Sequence, residues 1–182
     1  MKKYFEKLYK KSASEYYIQL SKYLDNNEKK FIVTANPETF KIAKTNKTFE
    51  NLIFDKNNDI IPDGIAVVKA AKHYRIKIKE RITGFDTTVK LLEFANQKKK
   101  SVYFFGAKKE VLDALVIRIK ETYSKIKILG ATDGYVSDKE KVMKEIISLN
   151  PDVCFVALGI PEQELLIGKY INKVKKGIYI GV

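Results

Sequence analysis

Short apolar runs alternate with amphipathic segments along most of the chain. Runs rich in Val, Ile and Phe and bounded by Gly, Asn or Asp predict strands; they cover residues 31–35, 52–54, 60–61, 101–105, 126–129, 153–158 and 178–182. The segments between them carry apolar residues at helical spacing and predict helices over 38–45, 65–73, 85–97, 109–123, 138–149 and 162–175. Continuously apolar strands that alternate with helices are typical of a parallel sheet covered on both faces. The pattern therefore predicts an α/β fold with a mainly parallel sheet and helices on both faces.

The N-terminal segment differs from this alternation. Tyr4, Phe5, Leu8 and Tyr9 recur at helical spacing, and five lysines surround them: Lys2, Lys3, Lys7, Lys10 and Lys11. Such a helix either lies on a membrane surface or packs on the domain with its basic side exposed. Residues 14–24 predict a second helix that packs on the sheet. We therefore predict N-terminal helices and a single domain over residues 1–182, with residues 1–13 as a basic helix.

The basic balance of the chain points to anionic partners. Its 182 residues include 35 Lys and Arg against 22 Asp and Glu, which gives a formal charge of +13. A surface this basic attracts nucleic acid, anionic lipid or phosphorylated ligands, although lysines on solvated helix faces need no partner. Apolar residues make up 45 % of the chain, which indicates a globular domain rather than a disordered segment.

The single cysteine and the short apolar runs favour a cytoplasmic protein. Cys154 has no second cysteine to pair with, and its place in an apolar strand predicts an inert core thiol. The longest apolar stretch, at residues 153–160, is far shorter than a membrane span requires. The basic start at Met1 is not followed by an apolar region, so we predict no signal peptide.

Several familiar chemistries are excluded by missing motifs. The predicted fold is Rossmann-like, yet the sequence lacks the dinucleotide fingerprint, the P-loop and the Gly-x-Ser-x-Gly nucleophile motif. His73 is the only histidine, so triads and zinc sites that need a second one fail, and its place near a predicted helix end favours a solvated or capping role. No Asp-x-Asp occurs either. A sugar-nucleotide enzyme built on this chain is therefore expected to stabilise its leaving group without a metal and to carry no cofactor.

Polar and glycine-rich loops follow five of the predicted strands. Because the carboxyl ends of parallel strands meet at one edge of the sheet, ligands bind there, and helix N-termini at that edge favour phosphate. Each loop also has a purely structural interpretation. Asn36 and Asp63 are plausible helix N-caps, and Gly106 and Gly159 could serve only to permit turns. The five loops cover residues 34–38, 62–64, 106–108, 132–135 and 159–164.

Taken together and in order, these segments resemble the WecG/TagA/CpsF family of bacterial glycosyltransferases. The resemblance covers about residues 14–182 and rests on six motifs: Thr34-Ala35-Asn36-Pro37-Glu38, Ile61-Pro62-Asp63-Gly64-Ile65, Arg81-Ile82-Thr83-Gly84-Phe85-Asp86, Phe104-Phe105-Gly106-Ala107-Lys108, Asp133-Gly134-Tyr135 and Ala157-Leu158-Gly159-Ile160-Pro161-Glu162-Gln163-Glu164. It implies transfer of N-acetylmannosamine from UDP-N-acetylmannosamine to the 4-hydroxyl of N-acetylglucosamine on a polyprenyl (undecaprenyl) diphosphate, with inversion. That reaction begins the linkage unit of wall teichoic acid, and it implies a peripheral position at the anionic inner face of the cell membrane.

The chemistry of the implied reaction suggests roles for residues at this edge. An inverting displacement needs one base to take the proton of the acceptor hydroxyl, and Asp63 is our candidate, with Glu38, Asp86 and Glu164 as alternatives. Thr34 and Asn36 are expected to hydrogen-bond the sugar. Arg81 is expected to contact a diphosphate, although an ion pair with a neighbouring acid is the simpler interpretation. The remaining substrate-binding residues that we predict are Gln163, Gly106, Gly159, Asp133 and Tyr135.

Two features depart from the family pattern. Glu162 stands where the family usually has Lys, which removes a phosphate contact. The chain ends at Val182, whereas family members continue with a Gly-Gly-x-Phe-Asp stretch and a basic, apolar segment associated with membrane attachment. We therefore expect a core that lacks this tail, turns over poorly alone, and self-associates as a homo-oligomer through the apolar surface left uncovered.

Other functions remain open at this stage. Related family members use other donors, such as N-acetylmannosaminuronic acid or glucose, so the donor is less secure than the reaction class. A non-catalytic nucleotide-sugar sensor with the same fold is a second hypothesis. A nucleic-acid-binding module fits the charge, but no RNA-recognition motif or recognition helix is present, so we expect no nucleic-acid partner.

Overall fold

The computed structural model describes residues 1–182 and has the predicted α/β architecture. Six strands form one sheet: β1 (Lys29–Ala35), β2 (Asn58–Pro62), β3 (Ser101–Gly106), β4 (Lys127–Thr132), β5 (Val153–Ala157) and β6 (Gly177–Gly181). Nine helices accompany them: α1 (Lys2–Lys7), α2 (Ala13–Asp25), α3 (Pro37–Thr45), α4 (Lys47–Phe54), α5 (Ile65–His73), α6 (Gly84–Gln97), α7 (Lys109–Thr122), α8 (Lys139–Leu149) and α9 (Glu162–Tyr170). A 3₁₀ turn at Ile171–Lys173 leads into β6.

All six strands are parallel, in the order β2-β1-β6-β5-β3-β4. The four inner strands β1, β6, β5 and β3 consist mostly of buried residues, as expected for a sheet with helices on both faces. The sheet separates two apolar cores, one containing Phe31, Tyr103 and Val156 and the other Ile32, Phe104 and Phe155. Helices α2, α6 and α7 cover the second core, and the other helices cover the first. The prediction of a Rossmann-like parallel sheet preceded by N-terminal helices is confirmed.

The N-terminal helix is packed into the protein. Tyr4, Phe5 and Leu8 are each no more than 3 % exposed, and Phe5 packs edge-on against Phe40 at 5.0 Å between ring centroids. The Tyr4 hydroxyl donates to the Glu50 carboxylate at 2.8 Å. Of the two interpretations of this segment, the structure supports the packed helix with exposed lysines, because the apolar side that a membrane helix would present to lipid is already buried. No helix anywhere in the structure combines the length and the apolarity that crossing a membrane demands.

One predicted strand is wrong and two predicted helices are too long. The basic helix predicted over residues 1–13 comprises only Lys2–Lys7, because Leu8 is extended and ends it. Residues 52–54 form the last turn of α4, which Asn46 caps by accepting a hydrogen bond from the Phe49 N–H at 3.0 Å. A three-residue apolar run cannot be told from the buried side of a helix by periodicity. The helix predicted over 162–175 ends at Tyr170, because the chain must turn through Ile171–Lys173 to enter β6.

Candidate active site

The carboxyl ends of all six strands form one edge of the sheet, and six helices begin there. Helices α3, α5, α7, α8 and α9 each follow a strand directly, while α6 begins beside β2 after an extended segment. The Ile82 N–H, two residues before α6, donates to the Pro62 carbonyl at 3.0 Å and so holds that segment against the end of β2. The edge therefore gathers the loops predicted from the sequence, together with helix N-termini that favour negative charge.

One part of this edge brings together Thr34, Asp63 and Gly84, which we call the acidic corner. Thr34 and Asp63 are half-buried at the ends of the adjacent strands β1 and β2. Asp63 Oδ2 accepts a hydrogen bond from the Gly84 N–H at 3.3 Å, at the start of α6. A Cβ on Gly84 would lie 2.9 Å from Thr34 Cγ2, so a larger residue there would push into the corner. The carboxylate is thus held at a helix N-terminus, and Oδ1 has no hydrogen-bond donor in the chain.

Asp63 does not cap the helix that follows it. Gly64 occupies the N-cap position of α5, with φ +103° and no side-chain hydrogen bond, so the capping interpretation of Asp63 is wrong. Asn36, by contrast, is a cap: its Oδ1 accepts from the Thr39 N–H at 3.0 Å, and Pro37 follows it at the first helical position. The Thr34 hydroxyl reaches the Gly181 carbonyl at 3.5 Å, which ties β1 to the end of β6.

The other acids proposed as bases are held differently. Glu38 is exposed in the first turn of α3. Asp86 is exposed, and its Oδ2 accepts from the Thr83 hydroxyl at 2.6 Å within the cap of α6. Glu164 is only 1 % exposed. Asp63 is the one that is both half-buried and at the junction of β1, β2 and α6.

Arg81 lies just before the acidic corner and is exposed. It pairs with no carboxylate within 4.0 Å, so the ion-pair interpretation of this residue is wrong. Its guanidinium is accordingly free to meet an anionic ligand, and a guanidinium can bind phosphate with two hydrogen bonds.

A second part of the edge, which we call the glycine corner, comprises Gly106, Ala107, Gly134 and Gly159. β3 leads outward to β4, whereas β5 leads back to β6, so the ends of β3 and β5 flank a topological switch point, where open α/β sheets bind ligands. A cavity of about 540 Å³ opens here, lined by Ala107, Gly134, Tyr135, Val136, Lys139, Ala157, Leu158 and Glu162. Its position and size suit part of a nucleotide.

Close backbone approach explains the glycines of this corner. A Cβ on Gly106 would lie 2.2 Å from the Ala157 carbonyl oxygen, and its φ of +128° also favours glycine. Ala107 follows with φ +60°, a left-handed conformation that costs a non-glycine residue about 1–2 kcal/mol. Its N–H donates to the Ala157 carbonyl at 3.0 Å, and its carbonyl accepts from the Gly134 N–H at 2.9 Å. Gly159 differs, because its φ is +82° but the space beside it is open.

The side chains at the mouth of the cavity form two contacts of their own. Tyr135 is 75 % exposed, and its N–H donates to Asp133 Oδ1 at 2.9 Å, so the Asp133 side chain shapes the loop. Lys139 pairs with Glu162 at 2.6 Å. The Glu that departs from the family pattern therefore neutralises a lysine that lines the cavity.

Between the two corners lie Gln163, Glu164 and Gly181. Gln163 is 5 % exposed, and its Oε1 accepts from the N–H groups of Leu158 and Gly159 at 3.2 and 3.0 Å. Its Nε2 donates to Glu164 Oε1 at 3.0 Å. Gln163 thus fixes the loop after β5, and direct contact with a ligand stays a prediction. Glu164 Oε2 is buried without a hydrogen-bond partner, and burial raises the pKa of this carboxyl.

Sequence reasoning did not identify the roles of Gly84, Ala107, Lys139 and Gly181. The role of Gly84 could have been predicted from the motif at residues 81–84, because a glycine at the start of a helix often marks the close approach of another group. The Lys139–Glu162 pair joins residues 23 positions apart and left no local signal. No group of three or more His, Cys, Asp and Glu side chains is arranged to hold a metal ion.

A family model and several curated relatives match this chain. A model of the glycosyl transferase WecG/TagA/CpsF family matches residues 6–182. The chain is 41 % identical over 160 residues to an N-acetylglucosaminyldiphosphoundecaprenol N-acetyl-beta-D-mannosaminyltransferase from Bacillus spizizenii, covering 88 % of this chain and 62 % of the relative. It is 40 % identical over 161 residues to the protein of that name from Bacillus subtilis, with the same coverage of both chains. It is 33 % identical over 153 residues to the one from Staphylococcus aureus, covering 84 % of this chain and 59 % of the relative. The chain spans about three fifths of the length of these relatives.

Proposed function

The chain belongs to the WecG/TagA/CpsF family of glycosyl transferases, and we propose that it transfers N-acetylmannosamine from UDP-N-acetylmannosamine to the 4-hydroxyl of N-acetylglucosamine on undecaprenyl diphosphate. The observation that carries this proposal is the 41 % identity, over 88 % of the chain, to a relative named for this transfer. The product is a linkage unit for wall teichoic acid. A different UDP-sugar donor on the same fold is the alternative, since the residues around the cavity do not define the epimer of the sugar.

Asp63 is proposed as the general base. The acceptor 4-hydroxyl gives its proton to the carboxylate while its oxygen attacks the anomeric carbon of the donor, and the bond from that carbon to the UDP oxygen breaks on the opposite side. One displacement of this kind inverts the anomeric centre. The Gly84 N–H on Oδ2, at 3.3 Å, supports this role because it orients the carboxylate and leaves Oδ1 for the acceptor. Thr34 lies beside it, where its hydroxyl can meet the sugar.

The donor is proposed to lie along the edge from the glycine corner to the acidic corner. The nucleotide occupies the cavity beside Tyr135, and the diphosphate and sugar extend over Gly159 and Gly181 towards Asp63. Helix N-termini along this edge, together with the unpaired Arg81, stabilise the charge that develops on the leaving diphosphate. We therefore propose that the transfer needs no metal ion.

The acceptor lipid requires contact with a membrane. We propose that the protein works at the cytoplasmic, anionic face of the cell membrane as a peripheral protein, in keeping with its charge of +13. Self-association as a homo-oligomer belongs to the same proposal, and nucleic acid is not among the proposed partners.

The proposal is tested by measuring release of UDP from UDP-N-acetylmannosamine in the presence of a short-chain lipid diphosphate bearing N-acetylglucosamine. The protein is assayed both as residues 1–182 and in a form extended at its C-terminus. We expect release that depends on the acceptor and persists with a chelator. Release of UDP from UDP-glucose but not from UDP-N-acetylmannosamine would show that UDP-glucose is the donor. If both forms bind UDP but neither turns over any donor, the result would favour a non-catalytic nucleotide-sugar sensor.

A further inference from the structure

A groove on the outer side of α5 combines an aliphatic floor with a rim of unpaired cations. Its floor consists of Val68, Ile76 and Ile78, and its rim of Lys69, Lys72, Arg75 and Lys77; we call these seven residues the basic groove. The cavity between α5 and the segment that follows it has a volume of about 500 Å³. Val68 and Ile76 are half-buried against the first core, and the four cations are exposed.

The charge of this surface is uncompensated. Residues 64–79 contain no Asp or Glu, and none of the four rim cations lies within 4.0 Å of a carboxylate. Elsewhere many lysines are paired, and Lys79, just beyond the groove, already contacts Glu15 at 3.3 Å. Four unpaired cations around an apolar cavity complement an amphiphile that has an anionic head group and an aliphatic chain.

We infer that the basic groove is the surface by which this protein docks on an anionic phospholipid bilayer, with the rim cations on lipid phosphates and the aliphatic cavity between them open to the upper chain carbons of a lipid held there. The inference rests on the membrane contact in the proposed function and identifies the surface of the protein that makes this contact. It differs from the N-terminal helix considered from the sequence, whose apolar side is buried.

The position of the groove relative to Asp63 fits this role. α5 begins two residues after Asp63, and at about 1.5 Å per residue Lys69 and Lys72 lie within roughly 15 Å of that carboxylate along the helix. The segment that forms the other wall continues through Arg81 to Gly84 in the acidic corner. A bilayer on the groove therefore lies within roughly 15 Å of the acidic corner along α5, a distance that a lipid-linked sugar can span.

An aliphatic floor favours lipid over nucleic acid. Single-stranded nucleic acid binds through aromatic rings on which bases stack. In this segment Tyr74 is half-buried and stacked on Phe5, with 5.2 Å between ring centroids, and exposed His73 lies edge-on against Tyr74 at 5.3 Å. No aromatic ring lines the groove itself, so it has cations for phosphate but no aromatic platform for bases.

The test is sedimentation of the full chain with phosphatidylcholine vesicles made with and without phosphatidylglycerol, in the absence of any sugar nucleotide. One variant carries Lys69→Glu, Lys72→Glu, Arg75→Glu and Lys77→Glu. Its matched control carries Lys120→Glu, Lys125→Glu, Lys127→Glu and Lys144→Glu, four exposed lysines at the β4 side of the sheet with the same change in net charge. All eight side chains are exposed, so both variants are expected to fold.

A Lys or Arg near an anionic bilayer contributes about fivefold to partitioning. We expect the groove variant to lose at least about a hundredfold in partitioning onto phosphatidylglycerol vesicles, and the control to lose much less. Equal losses in the two variants, an unchanged groove variant, or failure of the unaltered protein to bind would each overturn the inference. So would tighter binding of a single-stranded oligonucleotide through the same four residues. Because no donor or acceptor is present, these outcomes are independent of the transfer reaction, which the UDP-release assay tests separately.

Discussion

The acidic corner and the glycine corner lie on the same sheet edge but are built from different parts of the chain. In the acidic corner the atoms that we propose to act belong to side chains, and the Asp63 carboxylate accepts one hydrogen bond, from the Gly84 N–H. In the glycine corner the shape comes from backbone, because Gly106 and Gly134 let three loops approach and Ala107 takes a left-handed conformation. We therefore propose proton transfer for the acidic corner and binding of the nucleotide for the glycine corner.

The difference predicts different responses to mutation. A side-chain substitution in the acidic corner should change turnover and leave stability nearly intact, since few contacts depend on it. A substitution of a close-packed glycine should change stability first, because the neighbouring backbone cannot yield.

The largest effect is expected for Asp63→Asn. The amide oxygen of Asn can still accept the Gly84 N–H, so the fold should be kept, but the residue can no longer take a proton. We expect turnover to fall by about 10²–10⁴-fold, the usual contribution of a general base, with UDP affinity nearly unchanged. The measurement is acceptor-dependent UDP release beside calorimetric binding of UDP.

Matched variants at the other candidate bases sharpen this result. Asp86→Asn and Glu38→Gln remove exposed acids near the same edge. If either of these substitutions abolishes turnover while Asp63→Asn does not, then Asp63 is not the general base. The proposed role of the acidic corner in proton transfer would then be wrong.

The next largest effect is expected for Gly106→Ala. The new methyl group would meet the Ala157 carbonyl oxygen at 2.2 Å, so backbone must move. We expect a loss of about 3 kcal/mol in the free energy of unfolding from steric crowding together with the positive φ, measured by urea denaturation. Gly159→Ala is the control, because its φ is also positive but its surroundings are open, and we expect a loss of about 1 kcal/mol. Equal losses in the two variants would show that the positive φ, and not the close approach of backbone, explains why glycine is needed at residue 106.

A smaller effect is expected for Glu162→Gln at the mouth of the cavity. The substitution frees Lys139, now paired at 2.6 Å, for a phosphate of the ligand. We expect UDP affinity to rise about threefold at low salt and the gain to fade as salt is added, as for other partly exposed charge pairs. Glu121→Gln, which frees Arg118 at a remote ion pair, is the control and should leave affinity unchanged. A lower affinity for Glu162→Gln would mean that the pair itself shapes the cavity.

The smallest effect concerns Glu164, which lies between the corners. Burial raises the pKa of its carboxyl above the ordinary value of 4.5, so the folded protein holds the proton more tightly than the unfolded chain. Below pH 4.5 the carboxyl is protonated in both states and the protein has its full stability. As the pH rises from there through the raised pKa, the folded protein loses stability relative to the unfolded chain. We expect Glu164→Gln to remove this loss, so that the variant gains stability over the wild type at pH 8 but not at pH 4. Parallel unfolding curves for the two proteins at both pH values would contradict the expectation.

Much of the fold could be predicted from local patterns. Six of the seven predicted strands are present, because runs such as 31–35 and 153–158 are apolar on both faces, as a parallel sheet demands. The run at 52–54 failed because three residues carry too little periodicity to distinguish a strand from the end of α4. The edge loops were likewise predictable, since every strand of a parallel sheet ends on the same side.

Local sequence patterns are enough to predict the alternation of strands and helices, the loops at the carboxyl edge and the five of the six motifs that lie on those loops. The order of the strands depends on tertiary packing. The order β2-β1-β6-β5-β3-β4 brings Asp63, Thr34 and Gly84 together and leaves β6 and β5 between β1 and the cavity beside β3. Contacts across long sequence separations, such as Lys139 with Glu162 and Asp63 with Gly84, depend on that order. No local pattern encodes them, because propensity and periodicity act over a few residues, whereas neighbours in a sheet are chosen by the packing of the whole domain.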